Sequence, residues 1–112
     1  MTISTHVLDA SVGRPASGMD LTLDRRGEDG SWVTLSTGST DDDGRCPELT
    51  AAVDVAVGEY RLTFATGDYF ARAGTETFYP VVALTFTVTD AGAHHHVPLL
   101  LSPFAYSTYR GS

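Results

Sequence analysis

The stretch His94-His95-His96-Val97-Pro98-Leu99-Leu100-Leu101-Ser102-Pro103 reads as a β-strand running into a tight connection. Side chains along an extended chain alternate sides, so His95, Val97, Leu99 and Leu101 share one face and His94, His96, Pro98 and Leu100 the other. The first face suits the interior of a sandwich. The second is left wet in a monomer, and a wet face that carries Leu100 points to a subunit interface.

Working outward, the Ser102-Pro103 connection leads into a last strand over 104–110, and a strand over 80–89 precedes the histidines. Residues 58–65 form another, with Tyr60, Leu62 and Phe64 on one face. The pattern breaks over 66–73, where Thr66 is a candidate N-cap, Tyr69, Phe70 and Ala73 lie on one side, and Gly74 is the stop of a short helix. Toward the N-terminus, 3–8 and 19–25 read as strands separated by a stretch holding the turn formers Gly13 and Pro15. Glu28-Asp29-Gly30 carries the Asp-Gly signature of a hairpin into 31–36, where Trp32 and Thr34 alternate with Val33 and Leu35. A second turn, Asp41-Asp42-Asp43-Gly44, leads to Arg45, and Pro47 confines that segment to an edge or a loop. The sum is an all-β chain, an antiparallel β-sandwich of about eight strands with one short α-helix. Its 112 residues suffice for one hydrophobic core, so a single domain over 1–112 is expected.

Composition removes several classes of function. Fourteen acidic against seven basic side chains give a formal charge of -7, which repels a phosphate backbone and argues against nucleic acid. Cys46 is the only cysteine, so no internal disulfide can form and a reducing compartment fits better. No apolar run approaches the roughly 18 residues of a membrane span. Residues 1–9 lack the charged and apolar halves of a signal peptide, and Arg110-Gly111-Ser112 is not the Ser-Lys-Leu peroxisomal address. A cytoplasmic location is expected.

Taken singly, the polar residues have bland readings: the three histidines as a solvated strand end, His6 as a structural histidine, Arg45 as a surface ion pair, and Tyr109 to Ser112 as a frayed terminus. The histidines and Cys46 lack the spacing of a zinc site, so neither a metal nor a cofactor is expected. Cys46 has no base at a recognisable spacing and reads as a small filler.

Taken together, the same segments resemble the hydroxyisourate hydrolases of the transthyretin-like family. The resemblance runs from end to end. It rests on Ser4-Thr5-His6-Val7-Leu8-Asp9 with Gly13-Arg14-Pro15-Ala16, on Asp43-Gly44-Arg45, on Phe78-Tyr79-Pro80, on His96-Val97-Pro98-Leu99-Leu100-Leu101-Ser102-Pro103, and on the ending Tyr109-Arg110-Gly111-Ser112. The ending is the most specific part, because the hormone-carrying transthyretins share the fold but lack this tetrapeptide and the histidine and arginine positions. Two positions depart from the family's habit: His95 where tyrosine is frequent and Ala105 where glycine is frequent.

The resemblance implies a transthyretin-like (prealbumin-like) sandwich and a homotetramer whose strands line a channel. It implies hydrolysis of 5-hydroxyisourate in urate degradation without a metal. It also implies His6, Arg45 and His96 as catalytic residues, with His6, Arg45, Tyr109 and Ser112 against the substrate. Histidine is the side chain best matched to proton transfer at neutral pH, and either His6 or His96 can be the base. Arg45 offers a fixed charged fork for an oxyanion. The rival readings are a transthyretin-like carrier without catalysis and an adhesive or structural sandwich. Burying His6, Arg45 and His96 against an apolar cargo would leave them unsatisfied, which disfavours the carrier.

Overall fold

The structure, a computed structural model, describes residues 2–112. Eight strands and one helix follow one another as β1 (Thr2–Asp9), β2 (Arg14–Pro15), β3 (Asp20–Arg26), β4 (Trp32–Ser39), β5 (Gly58–Phe64), α1 (Thr66–Arg72), β6 (Val82–Val88), β7 (His94–Leu101) and β8 (Tyr106–Thr108). They form two four-stranded sheets, β2-β1-β7-β8 and β4-β3-β5-β6. Period-two patterning explains the core between them. Ile3 and Val7 from β1 and Val97, Leu99 and Leu101 from β7 are buried, as are Leu21 and Leu23 from β3 and Tyr60, Leu62 and Phe64 from β5.

The antiparallel expectation holds for every strand pair but one. β1 and β7 run parallel, with Thr2 opposite His94 and Ser4 opposite His96. A parallel pair requires a long crossover rather than a hairpin, and here the other sheet and the helix intervene between the two strands. The pairing juxtaposes the first and the penultimate strands.

The details differ from expectation in three places. The turn around Pro15 contains the two-residue strand β2, whose Leu8↔Pro15 and Asp9↔Arg14 pairs extend the sheet past β1. Ala65, not Thr66, is the N-cap of α1, and no side chain caps it. Thr66 is buried and its Oγ1 donates instead to the Tyr79 carbonyl, 2.9 Å away. Ala73 is exposed, so the buried side of the helix rests on Phe70, with Tyr69 packed alongside.

Besides the Thr66 bond, α1 is held against the rest of the fold by the packing of Phe70 into the core, by the Gly67 amide donating to Pro80 O, by Arg72 donating to Gly18 O, and by a hydrogen bond at Tyr69. The Tyr69 hydroxyl donates to Asp9 Oδ2 at 2.7 Å, tying the helix to the end of β1. Burial, reinforced by that carboxylate, pushes the phenol up to about 12. No helix among the described residues is long and apolar enough to cross a membrane.

Candidate active site

Strand alternation and the parallel register together place Thr2, Ser4, His6 and Leu8 of β1 beside His94, His96, Pro98 and Leu100 of β7, all on the side of the sheet turned away from the core. His6 pairs with Pro98 and Ser4 with His96, so the two histidines sit on neighbouring strands, offset by two residues. His95 points inward and is buried, as alternation requires. Its Nδ1 has no hydrogen-bond partner among the described residues.

Arg45 reaches this face from the far edge of β1. Asp41 Oδ1 accepts from the amides of Asp43 at 2.9 Å and Arg45 at 3.0 Å. The Gly44 amide bonds Asp41 O at 2.9 Å and closes the turn. Gly44 has φ +77°, a left-handed conformation natural to glycine. The Val7 amide donates to Gly44 O at 2.8 Å, and Arg45 then pairs with His6 as an isolated antiparallel bridge. A Cβ on Gly44 would lie 2.4 Å from Val7 O and 3.3 Å from His6 Cδ2, so only glycine lets the turn approach this closely. None of the ion pairs among the described residues engages Arg45.

The C-terminal tail closes the other edge. β8 pairs with β7 only as far as Leu99↔Thr108, and contact resumes at His96↔Gly111 in the same register. Pro98 has no N–H to give to the ladder between these points. Its carbonyl is met by Thr108 Oγ1 at 2.7 Å. The Gly111 amide donates to His96 O at 2.8 Å, and the tail lies against the imidazole. A Cβ on Gly111 would fall 2.5 Å from His96 Cδ2.

Of the residues singled out in the sequence, His6, Arg45 and His96 are thus gathered on one surface. Tyr109 and Ser112 are not drawn into that surface within one chain. Tyr109 is exposed and borders a cleft of about 250 Å³ whose lining includes Leu84, Phe86, His95, His96 and Val97, so it shares only His96 with the residues gathered on that surface. Ser112 is exposed. Two residues to which the sequence reading gave no role lie on the same surface: Ser4, whose hydroxyl lies 2.7 Å from His96 Nδ1 and 2.9 Å from His94 Nε2, and His94, already read there as outward-facing. Alternation from His6 already put Ser4 on the right face; the parallel pairing that sets it against His96 has no local signal.

Electrostatics favour a neutral His96. Burial, then the positive charges of Arg45, His94 and His6, lowers its pKa from 6.5. Cys46 is buried near this turn, and burial followed by the Glu48 carboxylate pushes its thiol up to about 11, far from a nucleophilic thiolate. No group of three or more His, Cys, Asp or Glu among the described residues is arranged to hold a metal ion. The surface therefore offers three imidazoles, that of His96 biased to the free base, beside a guanidinium with no carboxylate partner among the described residues. That combination suits addition of water to a polarised carbonyl.

Comparisons with known proteins cover nearly the whole chain. A model of the HIUase/Transthyretin family matches residues 3–111. A 5-hydroxyisourate hydrolase of Salmonella dublin is 44% identical over 110 residues, spanning 98% of this chain and 80% of that protein. The solved structure of Klebsiella pneumoniae 5-hydroxyisourate hydrolase is 41% identical and superposes with a TM-score of 0.84, covering 98% of both chains. Sea bream transthyretin in complex with thyroxine superposes with a TM-score of 0.92 at 32% identity, covering 97% of this chain and 93% of that one. The backbone alone does not separate enzyme from carrier, since the carrier superposes at least as well. Sequence identity does lean one way, at 41% to the hydrolase against 32% to the transthyretin.

Proposed function

The chain belongs to the HIUase/Transthyretin family, and from that footing we infer that it is a 5-hydroxyisourate hydrolase, converting 5-hydroxyisourate to 2-oxo-4-hydroxy-4-carboxy-5-ureidoimidazoline in urate degradation. The observation that carries the reading is the convergence of His6, Arg45 and His96 on one outward face, brought there by the parallel β1–β7 pair and the turn at Gly44. A carrier of apolar cargo has no use for three ionisable groups at the same surface.

Water adds to a ring carbonyl of the planar substrate, the ring C–N bond breaks, the carbonyl carbon becomes the carboxy group, and the released nitrogen takes a proton as part of the ureido group. His96, favoured as the free base, draws the proton from the attacking water. His6 steadies the ring from the neighbouring strand. Arg45 binds the carbonyl and stabilises the oxyanion, a contribution of about 3 kcal/mol where such donors have been removed in other enzymes. None of these steps calls on a metal or a cofactor.

The catalytic unit is a homotetramer of single-domain subunits over 1–112, and it acts in the cytoplasm. Support for assembly comes from the outward face itself, where Leu8 and Leu100 stand beside each other, each at least a third exposed. Tyr109 and Ser112 then complete the pocket from the tail. The reading is tested by following the ultraviolet absorbance of freshly generated 5-hydroxyisourate with wild-type protein, His96→Ala and buffer alone. Decay faster than buffer that collapses in His96→Ala is the expected result; wild-type decay no faster than buffer would remove the hydrolase reading and promote the carrier.

A further inference from the structure

On the outward face the histidines do not stand alone. Thr2 Oγ1 hydrogen-bonds His94 Nδ1, the Ser4 hydroxyl lies 2.9 Å from His94 Nε2, and the same hydroxyl lies 2.7 Å from His96 Nδ1. The two imidazoles are near parallel, 16° between planes with centroids 6.4 Å apart, so the hydroxyl bridges facing rings. Among the described residues nothing hydrogen-bonds His96 Nε2. Thr2, His94, Ser4 and His96 therefore form one unbranched chain from an exposed strand end to the nitrogen left for the reaction.

We propose that Ser4 is a positioning residue that couples His96 to His94 and Thr2 as a proton relay. This rests on the hydrolase reading. The chain has two polarities. In one, His96 Nδ1–H donates to Ser4 Oγ, Ser4 O–H to His94 Nε2, and His94 Nδ1–H to Thr2 Oγ1, which leaves His96 Nε2 a bare lone pair and a base. In the other every hydrogen bond is reversed and His96 carries its proton on Nε2, an acid.

The reaction runs from the first to the second and back. Water gives its proton to His96 Nε2 as its oxygen bonds the carbonyl carbon. The Nδ1 proton moves together with it to Ser4, Ser4's proton to His94, His94's to Thr2, and Thr2's to solvent. When the ring C–N bond breaks, the Nε2 proton passes to the leaving nitrogen and the relay refills from solvent. One water is consumed and no proton is gained or lost by the protein. The relay spares His96 from becoming an imidazolium in a partly buried place beside the Arg45 guanidinium, whose field disfavours that charge.

The experiment compares wild type, Ser4→Ala and Ser4→Thr in the ultraviolet assay, with circular dichroism to confirm the fold. Expected are a fall in kcat of about tenfold or more for Ser4→Ala with KM unchanged, and recovery of most of that loss in Ser4→Thr, which keeps the hydroxyl on a strand. In wild type, rates across H2O/D2O mixtures should curve as for several protons in flight, and those of Ser4→Ala should fall on a line. An undiminished kcat in Ser4→Ala, a Ser4→Thr no better than alanine, or a straight wild-type line would each overturn the relay. Wild type no faster than buffer overturns the hydrolase reading instead. In that event the hydrogen-bond chain is judged by the imidazole 15N shifts of His96, which must differ between wild type and Ser4→Ala for the coupling to stand.

Discussion

Gly111 and the imidazole of His96 are in such close contact that a single added methyl carbon would lie 2.5 Å from Cδ2 of the ring and 3.1 Å from Cβ and Cγ. The glycine of the Tyr-Arg-Gly-Ser ending is thus a packing requirement of the His96 ring. The tail is drawn in by one backbone hydrogen bond to His96 O, and a side chain at 111 must expel either the tail or the ring.

Gly111→Ala is accordingly expected to lower kcat by about a hundredfold, the scale of loss when a reacting group is displaced by about an ångström. Thermal stability should change little, because residue 111 follows the last strand and only one backbone bond is at risk. Initial rates and a melting curve decide it, and an alanine variant with wild-type kcat would show that the ring does not depend on the tail.

Gly44 makes a parallel case with a different outcome. Its φ is +77°, and an added Cβ would sit 2.4 Å from Val7 O. Alanine there meets both backbone strain and a clash with a carbonyl that cannot move without its sheet. Left-handed geometry alone costs a non-glycine residue about 1–2 kcal/mol. Gly44→Ala should therefore lower Tm and also cut activity, since the turn that distorts is the one presenting Arg45 to His6. Unfolding curves showing an unaltered Tm would mean the turn relaxes freely.

The lowered pKa of His96 predicts a direction for pH effects. Its native state resists protonation through burial and through Arg45, His94 and His6. Below the ordinary histidine value of 6.5 the unfolded chain takes up a proton at this position that the folded chain does not. Stability contributed at neutral pH is then lost progressively as pH falls through that value toward the folded pKa. The imidazole of His96, followed by proton NMR, should titrate below 6.5, and Arg45→Gln should move the midpoint upward. A midpoint at or above 6.5 in wild type is the contrary result.

Much of this architecture was legible in the chain. Alternation over 94–101 assigned the correct face to every residue from His94 to Leu101, and the spacing of glycines and prolines marked most strand boundaries, because period and turn chemistry are local properties. What was not legible is non-local. Nothing in residues 1–9 announces that β1 lies parallel to β7, and that pairing is what sets Ser4 between His94 and His96. Thr66 has the composition of a cap but spends its hydroxyl on Tyr79, a partner that propensity cannot foresee. Pro98 is buried although it lies on the outward side, opposite His6 in the parallel register.

Replacement of Arg45 by lysine separates charge from geometry. Lysine keeps the positive charge but presents a single point donor on a flexible stem, where arginine offers a planar fork that meets a carbonyl oxygen at fixed angles. The Asp41 carboxylate, which holds the backbone of the turn through the Asp43 and Arg45 amides, is untouched by the change, so the fold and the position of the chain at 45 persist. If Arg45 stabilises the oxyanion, Arg45→Lys should lower kcat by about a hundredfold. KM should shift far less, because the interaction is strongest where negative charge has developed. If it served only to attract an anionic substrate, lysine would do nearly as well, kcat would hold, and raising the ionic strength would weaken both proteins alike. Steady-state rates for the two proteins at low and high salt distinguish these outcomes.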